Sequence, residues 1–441
     1  MPLGSKNSVN PFHHLTLGTI GSRCGMDRLS WVPEARPIRI WRSSRSLQGC
    51  ASLGVTISPV ALGHEMKDGE GRAGVQGPSP VMGRGARLFN KYALPGMNIV
   101  PRILYGVSPI GLGHATRSLV VARELERRGA EVMMFSGGKA AEFLRGCGVA
   151  VEDFVEDAGP KVVGGEMKNA AAWYVRSWLA QRRNVPKALR LAGAFAPDVV
   201  VCDEEFSGTV AAGELGVSRV FIADELELGF ARGRVARAIE RRVERWYGGL
   251  LDAVDMLIVP EEGKDAGNRR YVGPIVRATT AGCLEVRRRH GLPEGRMVLV
   301  SLSGSGAGRE LASRALDALG SVQGGRPSLV VTGNRGPKFH GEGVYDLGVV
   351  RDNQDLVACA DLVVSTAGKS TIDEAAAAGT PIIVVPIRNH AEQERNAAAF
   401  GYSAGDSARL KELIPLKLSA REGARPCHGE VKAAELIMSL A

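Results

Sequence analysis

Short β-branched apolar runs alternate with longer amphipathic stretches from about residue 99 onward. Runs at 103–107, 131–135, 198–202, 219–223 and 256–259 are too brief for helices and read as buried parallel strands. A second series follows at 297–301, 328–332, 345–350, 362–364 and 382–385. Helical stretches lie between them. One over 115–128 is apolar at Leu119, Val120, Ala122 and Leu125 on a single stripe and is closed by Gly129. This alternation predicts an α/β chain of two doubly wound domains. Tyr271-Val272-Gly273-Pro274-Ile275 reads as the linker, which puts the domains at 97–277 and 278–441. A final helix over 430–440 is expected to pack back across them.

Residues 1–96 show no such rhythm and are rich in Gly, Pro, Ser and Arg. They predict a disordered basic extension, with Met97 as the start of the folded protein. A basic arm for membrane or RNA is the competing reading. Charge changes the picture here: 12 Lys and Arg against 5 Asp and Glu give this segment +7 of the chain's +9. The pI of 9.3 therefore describes the extension, and the core offers no case for nucleic-acid binding. Apolar content of 44% and charged content of 23% are ordinary for a soluble globular protein. No apolar run approaches the roughly 18 residues of a membrane span. Seven scattered cysteines, without C-x-x-C or a His/Cys cluster, predict reduced thiols in a cytosol and no metal site.

Candidate chemistry gathers first in 361–396, a strand, a small-residue turn, a helix over 371–378 and a second strand leading to His390, Glu392 and Gln393. Gly368-Lys369-Ser370-Thr371 is not a P-loop, because the required glycine five positions earlier is Val363. The turn can still cradle a diphosphate on free helix amides, with Glu374 one turn in, able to grip ribose hydroxyls. Alternatively, Thr371-x-x-Glu374 is a capping box.

The loop Ser108–His114 carries a second signal. Gly111 and Gly113 let the backbone approach a ligand, and His114 falls at a helix start. There the dipole is expected to keep the ring neutral, as a general base requires; a structural or capping histidine is the alternative. The strand end Cys202-Asp203-Glu204-Glu205 aims carboxylates at the same edge. One of them could be the base, orient His114, or cap the next helix. Residues 231–247 form a basic amphipathic helix that suits either an anionic membrane or a solvated face with internal Glu–Arg pairs. Ser303-Gly304-Ser305-Gly306 opens a helix without completing the dinucleotide fingerprint, since Arg309 stands where its third glycine belongs.

Several motifs together resemble the GT-B glycosyltransferases of family 28, the MurG-like group, and their archaeal relatives most of all. These are Gly111-Leu112-Gly113-His114-Ala115-Thr116-Arg117, Ala367-Gly368, Thr371-x-x-Glu374, Gly379-x-Pro381, Pro386, Gln393 and Asn396-Ala397. The resemblance covers about 97–400. It implies two facing Rossmann-like domains and an inverting, metal-independent transferase. The donor would be a UDP-sugar, with N-acetylglucosamine transferred to a lipid-linked or glycan acceptor and no cofactor. His114 would be the base, with Gly111, Gly113 and Arg117 on the acceptor side. Donor contacts would come from Ser303, Gly304, Ser305, Gly306, Gly368, Lys369, Ser370 and Thr371 at the diphosphate. Val350 would meet the uracil, Glu374 the ribose and Gln393 the sugar. The enzyme would be cytoplasmic, at the inner face of the membrane, with 231–247 touching it. A nucleotide-sugar 2-epimerase and a noncatalytic sugar-nucleotide sensor are the rival functions for the same fold.

Overall fold

The computed structural model describes residues 100–441 apart from 157–158, 225–227, 303–307, 321, 323–324, 421 and 426. The expected disordered extension lies outside the described residues. The first lobe runs β1 (Arg102–Val107), α1 (Gly113–Arg127), β2 (Glu131–Ser136), α2 (Gly138–Gly146), β3 (Val151–Asp153), β4 (Lys161–Val163) and β5 (Glu166–Lys168). It continues through α3 (Ala170–Phe195), β6 (Val199–Asp203), α4 (Phe206–Leu215), β7 (Ser218–Ile222), α5 (Arg234–Ala253), β8 (Met256–Val259) and β9 (Arg269–Tyr271). Seven of these strands form one parallel sheet in the order β3-β2-β1-β6-β7-β8-β9. The predicted runs form its middle because β-branched residues buried on both faces suit a sheet covered by helices. The short β3 and β9 and the hairpin β4–β5 escaped that reading. So did the length of α3, which tolerates Pro186 in its interior.

The second lobe contains α6 (Cys283–His290), β10 (Met297–Ser301), α7 (Arg309–Leu319), β11 (Ser328–Thr332), β12 (Val344–Gly348) and α8 (Asn353–Cys359). β13 (Leu362–Ser365), α9 (Lys369–Ala378), β14 (Ile382–Val384), α10 (Ala391–Ala399), α11 (Leu410–Leu418) and α12 (Gly429–Met438) complete it. Its sheet is parallel in the order β12-β11-β10-β13-β14. Two Rossmann-like lobes of this kind make the GT-B fold.

Among the described residues, three of the several links between the lobes involve the backbone or a whole element. One is the linker after β9. A second is α12, whose Ala433, Ala434 and Ile437 are buried in the first lobe's core, as the pattern predicted. Gly429 leaves no room for a larger residue there, since a β-carbon on it would lie 2.5 Å from Gly273 O. The third is the β4–β5 hairpin: Met167 N donates to Arg388 O at 2.8 Å and Arg388 N to Gly165 O at 2.9 Å. Asn389 Nδ2 adds a 2.8 Å bond to Glu166 Oε1.

One expectation fails. Cys283 and Cys359 form a disulfide between the start of α6 and the end of α8, so these two are not free thiols. Seventy-six positions separate them, and no sequence spacing signals such a pair. Cys147, Cys202 and Cys427 are free.

Candidate active site

Parallel register collects the chemistry at one edge of each sheet. Val107 at the end of β1 pairs with Asp203 at the end of β6, and Asp203 pairs with Ile222 at the end of β7. The loop after β1, the acidic run 203–205 and Asp224 therefore emerge side by side. In the second lobe Ser365 at the end of β13 is in register with Ser301 and Val384. These edges enclose a cavity of about 1300 Å³. Gly111, Gly113 and His114 line it from one lobe; Val350, Gly368, Lys369, Ser370, Thr371, Glu374 and Gln393 line it from the other. Ser303, Gly304, Ser305 and Gly306 lie outside the described residues.

Two helix starts meet inside this cavity. Neither α1 nor α9 has a side-chain cap or an acidic residue in its first turn. A β-carbon on Gly113 would lie 3.0 Å from Ser370 Oγ, so the two starts are close neighbours across the cleft. Their first amide N–H groups and positive dipole ends face the same space, which suits an anion.

His114 Nδ1 lies 2.9 Å from Asp203 Oδ1, and Nε2 lies 3.6 Å from Glu204 Oε2. Burial opposes charge on the ring, but Glu204 and the hydrogen-bonded Asp203 outweigh it and raise its pKa to about 9. The expected neutral ring is therefore corrected. A helix dipole contributes about 0.3–1 kcal/mol, less than two carboxylates at this range. Arg117 is buried and occupied: Nε and Nη2 bond the two Asp203 oxygens at 2.9 and 2.6 Å, and Nη1 bonds Asp224. It stands behind the cavity wall and supports His114 through Asp203. Burial works against the Asp203 charge, yet Arg117 and His114 hold that carboxyl well below the usual range. Ser118 Oγ adds a 2.9 Å bond to it. Glu205 takes the role of a helix cap, accepting from Ser207 N at 2.9 Å and Gly208 N at 2.7 Å.

On the donor side Glu374 is buried and accepts from Arg277 Nη2 at 2.9 Å and Nε at 3.2 Å. Arg277, in the linker, also bonds Arg351 O at 2.6 Å. The capping box does not form, because α9 starts at Lys369 with Gly368 as its N-cap and Thr371 already lies inside. Lys369 Nζ holds both Asp373 oxygens at 2.6 Å. Gln393 Oε1 accepts from Ile387 N at 3.0 Å, fixing the loop before α10. Asn396 Nδ2 donates to Ala367 O at 3.1 Å, pinning a non-glycine residue at a φ of 63°. His390 and Glu392 also line the cavity. Burial lowers His390 to about 4; burial, Asp224 and Glu204 raise Glu392 to about 7.

Asp224 and Arg277 were missed from the sequence: each is an isolated charge in a loop, and only the fold gives it partners. Asp203 was seen as one of three carboxylates; the register of β1 with β6 singles it out. The cavity also extends between α3 and α5, past Trp173, Trp178, Phe206, Phe230 and Trp246. Ile239 and Val243 of α5 pack towards that aromatic cluster. Glu240 accepts from Tyr174 Oη at 2.6 Å and from Ala231 N at 2.9 Å. Among the described residues no Glu–Arg pair forms within α5.

Comparison with known proteins points to glycosyltransferases. Residues 337–419 match the glycosyltransferase family 28 C-terminal domain, and residues 101–220 match glycosyl transferase family 1. An uncharacterized glycosyltransferase of Methanosarcina acetivorans is 28% identical over 320 residues, 67% of this chain and 82% of its own length. A Deinococcus deserti protein is 26% identical, over 68% of this chain and 84% of its own length. It is named UDP-N-acetylglucosamine--N-acetylmuramyl-(pentapeptide) pyrophosphoryl-undecaprenol N-acetylglucosamine transferase. Among solved structures, the glycotransferase of kitacinnamycin superposes with a TM-score of 0.54 at 17% identity, covering 78% of this chain and all of that one. At that identity the likeness speaks for the fold alone.

Proposed function

Because the chain is a GT-B glycosyltransferase of family 28, we propose that it moves N-acetylglucosamine from its UDP-sugar to a lipid-linked or glycan acceptor, with inversion and without a metal. The observation that carries this reading is the meeting of two uncapped helix starts, Gly113 and Lys369, in one cavity. The donor diphosphate rests on their amides, with Ser370 and Thr371 hydroxyls beside it. Glu374, steadied by Arg277, accepts from the ribose, Val350 lies against the uracil and Gln393 meets the sugar. The acceptor hydroxyl attacks the anomeric carbon from the side opposite the leaving diphosphate. His114 and the carboxylates at its two ring nitrogens handle the hydroxyl's proton. Contact between the lobes keeps water out and favours transfer over hydrolysis.

The Deinococcus relative's name supports both the UDP-sugar and the lipid-linked acceptor. The aromatic extension of the cavity, ending at Trp178 and Trp246 (54% and 46% exposed) beside the arginines of α5, suits an amphiphilic acceptor on an anionic membrane. On this reading the enzyme works at the cytoplasmic face. Among the described residues no helix is long and apolar enough to cross a membrane.

Radiolabelled UDP-sugars incubated with the protein and a membrane extract test the reading. Label in the lipid-soluble or glycan fraction is expected. Conversion of the free sugar nucleotide to an epimer, or tight binding with no turnover, would replace it with one of the rival functions.

A further inference from the structure

The triplet Asp203-Glu204-Glu205 divides into three roles, and these single out which group beside His114 takes the acceptor's proton. Asp203 is fully buried on Arg117, His114 and Ser118. Glu205 is fully buried as the cap of α4. Glu204 and Glu205 both line the cavity, but Glu205 is tied up as that cap, whereas the Glu204 side chain is 28% exposed. It gets there through a left-handed backbone, φ 45°, that a non-glycine residue adopts at a cost of about 1–2 kcal/mol. Its amide donates to Ile222 O at 3.1 Å, which holds the turn. Its carboxylate makes no hydrogen bond among the described residues and has His114 Nε2 at 3.6 Å as its nearest charged partner.

We infer that Glu204 is the catalytic base, the group that takes the acceptor's proton, while His114 holds that carboxylate in place. This rests on the transferase reading. The acceptor O–H bond breaks and its proton goes to the Glu204 carboxylate. The oxygen's electron pair forms the bond to the anomeric carbon, and the bond from that carbon to the diphosphate breaks, its pair leaving with UDP. Glu204 returns the proton to solvent after the product departs.

The surroundings favour this division. His114 Nδ1 faces Asp203 and, at 3.2 Å, Arg117 Nη2, while Nε2 faces Glu204; the two carboxylates outweigh the guanidinium and burial, which favours a charged imidazole without a lone pair for a hydroxyl proton. The groups acting on Glu204 are His114 and Arg117 of α1, Asp203 of β6 and Asp224 after β7. Glu392 of α10 and Tyr247 of α5 are influenced by it in turn. Burial and the neighbouring carboxylates Asp224 and Asp203 raise its proton affinity, against the pull of His114 and Arg117.

The test uses the full chain, UDP-N-acetylglucosamine and the membrane extract as acceptor. Glu204→Gln should lower kcat about 10²- to 10⁴-fold across pH 6–9, the usual contribution of a positioned base, with UDP affinity unchanged by calorimetry. Glu204→Gly, which a left-handed position accommodates without strain, should fold at least as well and regain activity with added formate. Suppose instead that Glu204→Gln stays active and the acid limb of its pH–rate profile moves to lower pH. Then His114 is the base and Glu204 only raises its pKa, and the inference falls. Absence of formate rescue in a folded, UDP-binding Glu204→Gly variant also overturns it. Failure of the transferase reading looks different: wild type itself transfers no label.

Discussion

Two strand-to-helix turns face each other across the cavity, one after β1 leading to His114 and one after β13 leading to Lys369. Both enter an uncapped helix, and both place a glycine at the entry. They differ in what stands behind them. Behind the first lies a buried ionic web in which Arg117 is shared between Asp203 and Asp224 and Asp203 also carries His114 and Ser118. The second is backed by hydroxyls, the Ala367 carbonyl held by Asn396, and two separate ion pairs, Lys369–Asp373 and Arg277–Glu374. One turn concentrates charge that can redistribute a proton. The other presents neutral donors that can hold an anion without changing their own state.

The sharpest way to separate them is to remove one side chain from each. His114→Ala should cut kcat by about 10²- to 10⁴-fold while UDP binding, read by calorimetry, stays unchanged. Glu374→Ala should do the reverse, weakening UDP binding by about 10- to 100-fold, in line with about 1.5–3 kcal/mol for a hydrogen bond to a charged group. Were the two variants to exchange effects, the assignment of proton handling to one turn and donor binding to the other would be wrong.

Stability should show the same contrast at slightly smaller scale. Asp203→Asn leaves Arg117 buried with half its partners gone, and breaking such a pair costs about 3–5 kcal/mol. Asp373→Asn breaks a pair one helical turn apart and partly open to solvent, so about 1 kcal/mol or less is expected. Chemical denaturation of both variants measures the difference. Equal losses would mean the ionic web behind His114 is no more costly to break than a helix-surface pair.

How far these roles could be read from the chain alone depends on how local they are. The βα rhythm, the two turns and the glycines were legible because each rests on neighbours in sequence. What failed was decided by residues far away. His114 looked neutral because its helix start is visible, whereas Asp203 and Glu204 arrive from 89 and 90 positions on, through the pairing of β1 with β6. Glu374 fitted a capping box until α9 was seen to begin at Lys369, and its true partner, Arg277, lies 97 positions earlier. The Cys283–Cys359 bond is hidden for the same reason.

The raised His114 pKa gives a pH-dependent form of the comparison. Its ordinary value is 6.5 and its folded value about 9. The protonated ring therefore stabilises the fold fully below pH 6.5, and this contribution is lost as pH rises through 9. The wild-type melting temperature should fall between pH 6.5 and 9.5, and His114→Ala should flatten that part of the curve. A variant whose curve keeps the wild-type slope would show that some other group titrates there.

The smallest expected change in stability is also the most discriminating for the donor side. Gly111 and Gly368 stand in the two turns, and neither has an atom within 4 Å of where a β-carbon would be. Gly111 has a φ of 78°, so alanine there is strained whatever the space and should cost about 1–2 kcal/mol. Gly368 has a φ of −72°, which any residue adopts, and as an N-cap its change to alanine should cost under about 1 kcal/mol. The fold thus explains a glycine at 111 and gives no reason for one at 368. The proposed diphosphate would supply that reason by lying against the backbone, because a methyl group would then occupy the ligand's space. Gly368→Ala should therefore melt close to wild type yet bind UDP about tenfold more weakly or worse, a steric loss of about 1.4 kcal/mol or more. Unchanged affinity in that variant would move the diphosphate away from α9 and leave the first turn as the only helix start with a ligand to meet.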